Sequence, residues 1–224
     1  MLYHAFRSLG RYVLAACAVS LVAVSLSAQK PASAPVSGAN PSRVDIFAGY
    51  SYLGTQSKLQ PGGIQYTSIS LGAAGSGAFF FNKHLGVEIL YTNHVVNGKA
   101  PSDGAVGISG GPIYRKAFGN NLSAFAHGLF GVEQLTGPNT SYPPAFVESE
   151  RGTWGIGMTL GGGLDLNLCK RVSLRLIEAD YRYSHVNFGT YAGVPIAPPY
   201  PLGGTADLNA LELSTGIVTH FGGL

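Results

Sequence analysis

Residues 208–221 read Leu-Asn-Ala-Leu-Glu-Leu-Ser-Thr-Gly-Ile-Val-Thr-His-Phe, a single long strand with two chemically different faces. Leu211, Leu213, Thr215, Ile217, Thr219 and Phe221 share one parity; Glu212, Ser214, Gly216 and His220 share the other. A period of two is the signature of a strand, because successive side chains point to opposite faces of a sheet. A face of glycine and small hydroxyls with isolated charges would be poor against bulk water. It suits the narrow interior of a small closed barrel whose outside is apolar. The run is also longer than the five or six residues or so of an ordinary globular strand. It exceeds the roughly nine to eleven that a tilted membrane-crossing strand needs.

Working outward from this strand, seven more such runs appear: 44–53, about 66–81, 85–96, 105–118, 122–135, 153–167 and 172–187. Val87, Ile89 and Tyr91 oppose Gly86, Glu88 and Thr92, and Trp154, Ile156, Met158, Leu160, Leu164 and Leu166 oppose Thr153, Thr159 and Asp165. The run 172–187 breaks the rule. Arg175 has one parity, and Glu178, Asp180 and Arg182 have the other. Either a bulge near Ile177 turns them all inward, or one set sits at the rim.

The connections alternate in length. Turns 82–84, 119–121 and 168–171 are short; loops 54–65, 97–104, 136–152 and 188–207 are longer, the last being the longest. Antiparallel strands place alternate connections at opposite ends, so all the short turns fall at one end. Membrane barrels of the outer-membrane type have this asymmetry, with short turns periplasmic and long loops outside. Tyr50, Tyr52, Tyr91, Trp154 and Tyr183 lie toward the loops, and Phe79, Phe80, Phe81, Phe118 and Phe221 toward the turns, which predicts two aromatic girdles at headgroup level.

The N-terminus predicts export. Arg7 and Arg11 precede an uncharged, mostly apolar run 12–26, followed by small residues at Ser25, Ser27 and Ala28. That is the order of a secretory signal peptide, assigned to residues 1–28, with cleavage after Ser27 or Ala28. Leu14-Ala15-Ala16-Cys17 resembles a lipoprotein box, but the apolar stretch before it is too short. Residues 29–42, rich in Pro, Ala, Ser and Gly, read as a flexible periplasmic linker, and residues 43–222 as the barrel domain. Loss of Arg7 and Arg11 leaves 12 of the 14 basic residues against 11 acids, so no nucleic-acid-binding surface is expected. It also leaves Cys169 alone, without an intrachain disulfide. Charged residues are only 11% of the chain, against about 25% in soluble domains, too few to make a solvated skin.

Three stretches carry a family resemblance: Val44-Asp45-Ile46-Phe47-Ala48-Gly49-Tyr50-Ser51-Tyr52, Leu160-Gly161-Gly162-Gly163-Leu164-Asp165, and Leu174-Arg175 through Ala179-Asp180-Tyr181. On these the chain resembles the outer-membrane protein β-barrel family, typified by the transmembrane domain of outer-membrane protein A. The resemblance implies an all-β fold: an eight-stranded antiparallel up-and-down transmembrane β-barrel with a polar, salt-bridged interior. It implies a monomer in the bacterial outer membrane, among lipid and lipopolysaccharide, inserted by the barrel-assembly machinery. Two departures stand out. The chain stops at Leu224 with no peptidoglycan-binding domain, and Phe221 is followed by Gly222-Gly223-Leu224, where the family usually ends on an aromatic.

Glu88, Arg115, Asp165, Arg175, Glu178, Asp180, Arg182 and Glu212 are the candidates for an ion-pair network in the lumen. His84, His94, His127, His185 and His220 show no metal-ligand spacing along the chain, and His127 shares an inward face with Glu133. No cofactor, metal or catalytic residue is expected. Ser184-His185 invites comparison with lipid A-modifying enzymes, yet adjacent strand residues point to opposite faces. Gly161-Gly162-Gly163 lacks the following Lys-Ser or Lys-Thr of a phosphate loop and reads as a site of tight barrel curvature or a bulge. The leading expectation is a non-enzymatic barrel with a structural or surface-contact role through its loops. A narrow gated channel or small-ligand carrier, and a lipid A-modifying enzyme, are the alternatives.

Overall fold

A computed structural model describes residues 41–56, 58–60, 64–65, 68–95, 104–119, 121–135, 153–190 and 203–224. The expected signal segment 1–28 and most of the linker lie outside the described residues. So do loop 136–152 and the centres of the other long loops.

Eight long strands, β1 (Val44–Thr55), β4 (Ile69–Phe80), β5 (Leu85–Val95), β6 (Gly104–Phe118), β7 (Leu122–Leu135), β8 (Thr153–Cys169), β9 (Val172–Thr190) and β10 (Gly203–Phe221), each pair antiparallel with the next. β1 also pairs with β10, from Val44↔Phe221 to Thr55↔Ala210, so the eight long strands close on themselves. Two short strands, β2 (Lys58–Gln60) and β3 (Ile64–Gln65), form a small hairpin that extends from the loop end of β10. Several limits differ from the sequence expectation, three of them most. β4 starts at Ile69 rather than near 66, loop 54–65 contains the β2–β3 hairpin, and the connection 188–207 shrinks to 191–202. In the last case Thr190 and Gly203 still pair, so the ladder continues into residues that look like loop by composition.

The short turns are set by local chemistry. Asn82 Oδ1 accepts from the backbone N–H of both His84 and Leu85 at 2.9 Å, which folds the β4–β5 turn back on itself. Gly119 takes the left-handed backbone, φ 66°, that closes the β6–β7 turn.

The two faces of the barrel are inverted relative to a soluble protein. Ile89, Phe130, Ile156 and Leu160 are each at least 60% exposed on the outside. Glu88, Glu133, Asp180, Arg182 and Glu212 are buried inside at 1–4%. This belt of apolar side chains on each of the eight long strands needs an apolar solvent. The aromatics follow strand parity, with one correction. Phe79 and Phe81 are outside, but Phe80 is 1% exposed and faces inward, because alternation places it opposite its neighbour.

The irregular strand resolves as a bulge. Leu164 pairs with Ile177 and Asp165 with Arg175, leaving Leu176 as an extra residue; on the other side the register shifts between Ser214 and Gly216. Leu176 and Ile177 consequently both face outward, and Arg175, Glu178, Asp180 and Arg182 all face inward.

Candidate functional site

The lumen is layered. At the long-loop end Leu53, Ile69, Ala105, Leu135, Val186, Leu208 and Ala210 form a buried apolar cluster, with Leu53 and Val186 at 0% exposure. Six strands contribute to it, each from the end nearest the loops.

Below it lies the first charged layer. Arg182 donates from Nη1 to Glu212 Oε2 at 2.7 Å and from Nη2 to Glu133 Oε1 at 2.8 Å. Ser51 donates to Glu212 Oε1 at 2.6 Å, and His94 Nε2 stands 3.0 Å from the same hydroxyl. In the next layer His127 bridges two carboxylates, Nδ1 to Glu88 Oε2 at 2.7 Å and Nε2 to Asp180 Oδ1 at 3.1 Å. Arg175 then spans Asp165, through Nε at 2.9 Å, and Glu178, through Nη1 at 3.1 Å. Its guanidinium is also stacked between Phe125 at 4.0 Å and Phe47 at 4.2 Å. Stacking suits a planar, weakly hydrated cation, and an ammonium would not replace it.

At the short-turn mouth Arg115 lies 3.6 Å over the Phe80 ring and donates to Asp45 Oδ2 at 2.7 Å and to Ser42. His220 links Asp45, through Nδ1 at 2.7 Å, to Ser173, through Nε2 at 2.7 Å. This is the order of groups in a nucleophile–base–acid row. Ser173, however, is fully buried and donates its proton to Asn167 Oδ1 at 2.7 Å, so no substrate carbonyl can reach its oxygen. A cavity of about 230 Å³ opens among Asp45, Arg115, His220 and the Phe47, Phe80 and Phe125 rings, and its lining includes Glu88 and Arg175.

Glycines make room for these large side chains. A Cβ on Gly161 would stand 2.0 Å from Asp180 Oδ1, one on Gly107 2.7 Å from Arg182 Nη2, and one on Gly72 2.2 Å from the His94 ring. Gly161 lies between His127 on β7 and Asp180 on β9 in the ladder, so its missing side chain lets that pair meet across β8.

All eight residues selected from the sequence project into the lumen. Glu88, Asp165, Arg175, Glu178, Asp180, Arg182 and Glu212 are buried, and the Arg115 side chain is 13% exposed at the mouth. They do not form one network by themselves. Arg115 contacts none of the other seven and pairs with Asp45; Arg182 needs Glu133, and Glu88 meets Asp180 only through His127. Asp45, Ser51 and Ser173 escaped the sequence reading, although parity with Phe47 and Leu53 places Asp45 and Ser51 inside. Ser184 and His185 point to opposite faces. Ser184 is buried, whereas the half-exposed His185 side chain pairs with Asp207 at 2.7 Å on the outer rim.

No family model and no curated protein matches the chain. Solved structures do. Neisserial surface protein A is similar over 80% of this chain and 98% of its own, at 13% identity and a TM-score of 0.53. Outer membrane protein OprG from Pseudomonas aeruginosa is similar over 82% and 98%, at 15% identity and a TM-score of 0.50. Identity at this level speaks to fold, and the fold agrees with the closed sheet, the apolar exterior and the charged interior. The chain is therefore an eight-stranded antiparallel up-and-down transmembrane β-barrel of the outer-membrane type.

Proposed function

We propose that this protein is a non-enzymatic barrel of the bacterial outer membrane with a closed lumen, acting structurally and through surface contacts made by its long loops. The observation that carries this reading is the apolar layer across the loop end, where Leu53, Leu135, Val186 and Leu208 are at most 1% exposed. Ions crossing the lumen would have to pass this largely apolar layer, where the buried hydroxyls of Thr55 and Ser184 are a poor replacement for water, at the desolvation cost that apolar surroundings impose on charge. Beneath it the ion pairs fill the width that eight strands enclose. Loops 136–152 and 191–202 would carry contacts with partners outside the cell, as loops on a rigid scaffold commonly do. The barrel would sit as a monomer among outer-membrane lipid and lipopolysaccharide, exported by its N-terminal signal and inserted by the barrel-assembly machinery. The separation of Ser184 from His185 and the inaccessibility of Ser173 support a non-enzymatic role.

Planar-bilayer recording of the purified protein tests the closed lumen. The expected record has no unitary steps, and Leu53→Ser combined with Leu208→Ser introduces them. Discrete steps from the unmodified protein would favour the gated-channel alternative.

A further inference from the structure

We infer that the lumen holds a binding site for a first-row divalent metal ion of the zinc type, formed by His127, Glu178 and Asp180. One ligand atom from each lies within 4.8 Å of the other two, and all three residues are buried. An imidazole with two carboxylates is a donor set for such ions.

Two independent features point to a cation here. Glu178 is 1% exposed, and its Oε1 has no hydrogen-bond partner among the described residues, although Oε2 is held by Arg175. A buried carboxylate oxygen left bare is costly, and a metal ion would satisfy it. The second feature is charge. Around this point four carboxylates, Glu88, Asp165, Glu178 and Asp180, face the guanidinium of Arg175 and the imidazole of His127, and the layer above adds Glu133 and Glu212 against Arg182. Even with the imidazole protonated, negative charge remains in excess. A divalent ion on Nε2 replaces the proton there and adds a further positive charge.

The neighbouring groups are arranged to suit. Glu88 accepts from His127 Nδ1 at 2.7 Å, which orients the ring and presents Nε2 to Asp180. A carboxylate on the far nitrogen of a ligating histidine is the usual support of such a ligand. Gly161 provides the space, since a Cβ there would collide with Asp180 Oδ1. The mouth cavity reaches the neighbours of the triplet, Glu88 and Arg175, while His127, Glu178 and Asp180 themselves lie beyond its lining.

The test uses the purified, untagged protein in detergent, stripped with chelator and titrated with zinc chloride. Calorimetry and metal analysis after desalting should show about one Zn²⁺ per chain, with release of the His127 proton. Glu178→Gln and Asp180→Asn should each weaken binding by tenfold or more. Glu88→Gln should weaken it by about 10–100-fold, as loss of an orienting partner does. Asp207→Asn, at the exposed rim pair, should leave it unchanged. Folding of each variant is read from the gel shift between unboiled and boiled samples. Independently of any variant, zinc should move the His127 ring-nitrogen resonances of the unmodified protein. An unmoved His127 ring, no stoichiometric zinc in the unmodified protein, or full binding by folded Glu178→Gln and Asp180→Asn would each overturn the inference.

Discussion

Arg182 is the residue on which the upper charged layer turns. It joins β7 to β10 through Glu133 and Glu212, with its own side chain 4% exposed. Arg182→Met leaves two buried carboxylates without their cation, and breaking a buried pair in this way costs about 3–5 kcal/mol. Urea unfolding in detergent should show a loss of that size, and the double variant Arg182→Met/Glu212→Gln should recover part of it. An unchanged midpoint for the single variant would mean that the pairs are stabilised by something other than this contact. Gly161 makes the opposite point, since what matters there is absence. Gly161→Val should cost on the order of 1–3 kcal/mol by overpacking against Asp180. Gly77→Val, with nothing within 4 Å of its Cβ position, should be far better tolerated in the same unfolding assay.

β9 is the element in which sequence and structure come closest to conflict. One extra residue at Leu176–Ile177 keeps Arg175 in phase with Glu178, Asp180 and Arg182. Deleting Leu176 brings Arg175, Glu178, Asp180 and Arg182 onto one parity, so a strand without the bulge still turns all four inward. The deletion variant should therefore keep the boiled-versus-unboiled gel shift that the parent protein shows. Loss of that shift would mean that the local bend of the bulge, beyond its effect on parity, is needed to close the barrel. On β8 and β10 the faces are regular, and Ile156 and Ile217 are exposed at 67% and 37%. Leu160→Lys, at mid-strand on β8 with 60% exposure, should destabilise by about 2–4 kcal/mol when the barrel is folded in lipid vesicles. Tolerance equal to that of a loop substitution such as Thr136→Lys would argue against the assigned lipid face.

At the scale of the whole molecule, the asymmetry of connections sets orientation. Cys169 lies exposed at the short-turn end, so a membrane-impermeant maleimide should label it only after the outer membrane is permeabilised. An epitope inserted near Gly193 should be bound by antibody on intact cells. The reverse pattern would invert the topology. The sequence by itself determined the strand count, the inward and outward faces of regular strands, and which end carries the short turns. These follow from periodicity and chain parity, which are local properties needing no knowledge of partners. That is why Glu88, Asp165 and Glu212 could be placed inside from their neighbours alone. Parity also places Phe80 inside, against the girdle read from its position near a turn. Tertiary structure alone decided who meets whom. The β1–β10 closure joins residues such as Ser51 and Glu212, and His127 reaches Glu88 and Asp180 on different strands. Such pairs depend on register and stagger, which accumulate around the whole barrel and leave no periodic trace in one strand. The bulge was visible as a break in parity, but its inward resolution came from the ladders on both sides of β9. The triplet His127, Glu178 and Asp180 was invisible for the same reason: its histidine and carboxylates are separated by a full strand of the sheet, across which Gly161 leaves room.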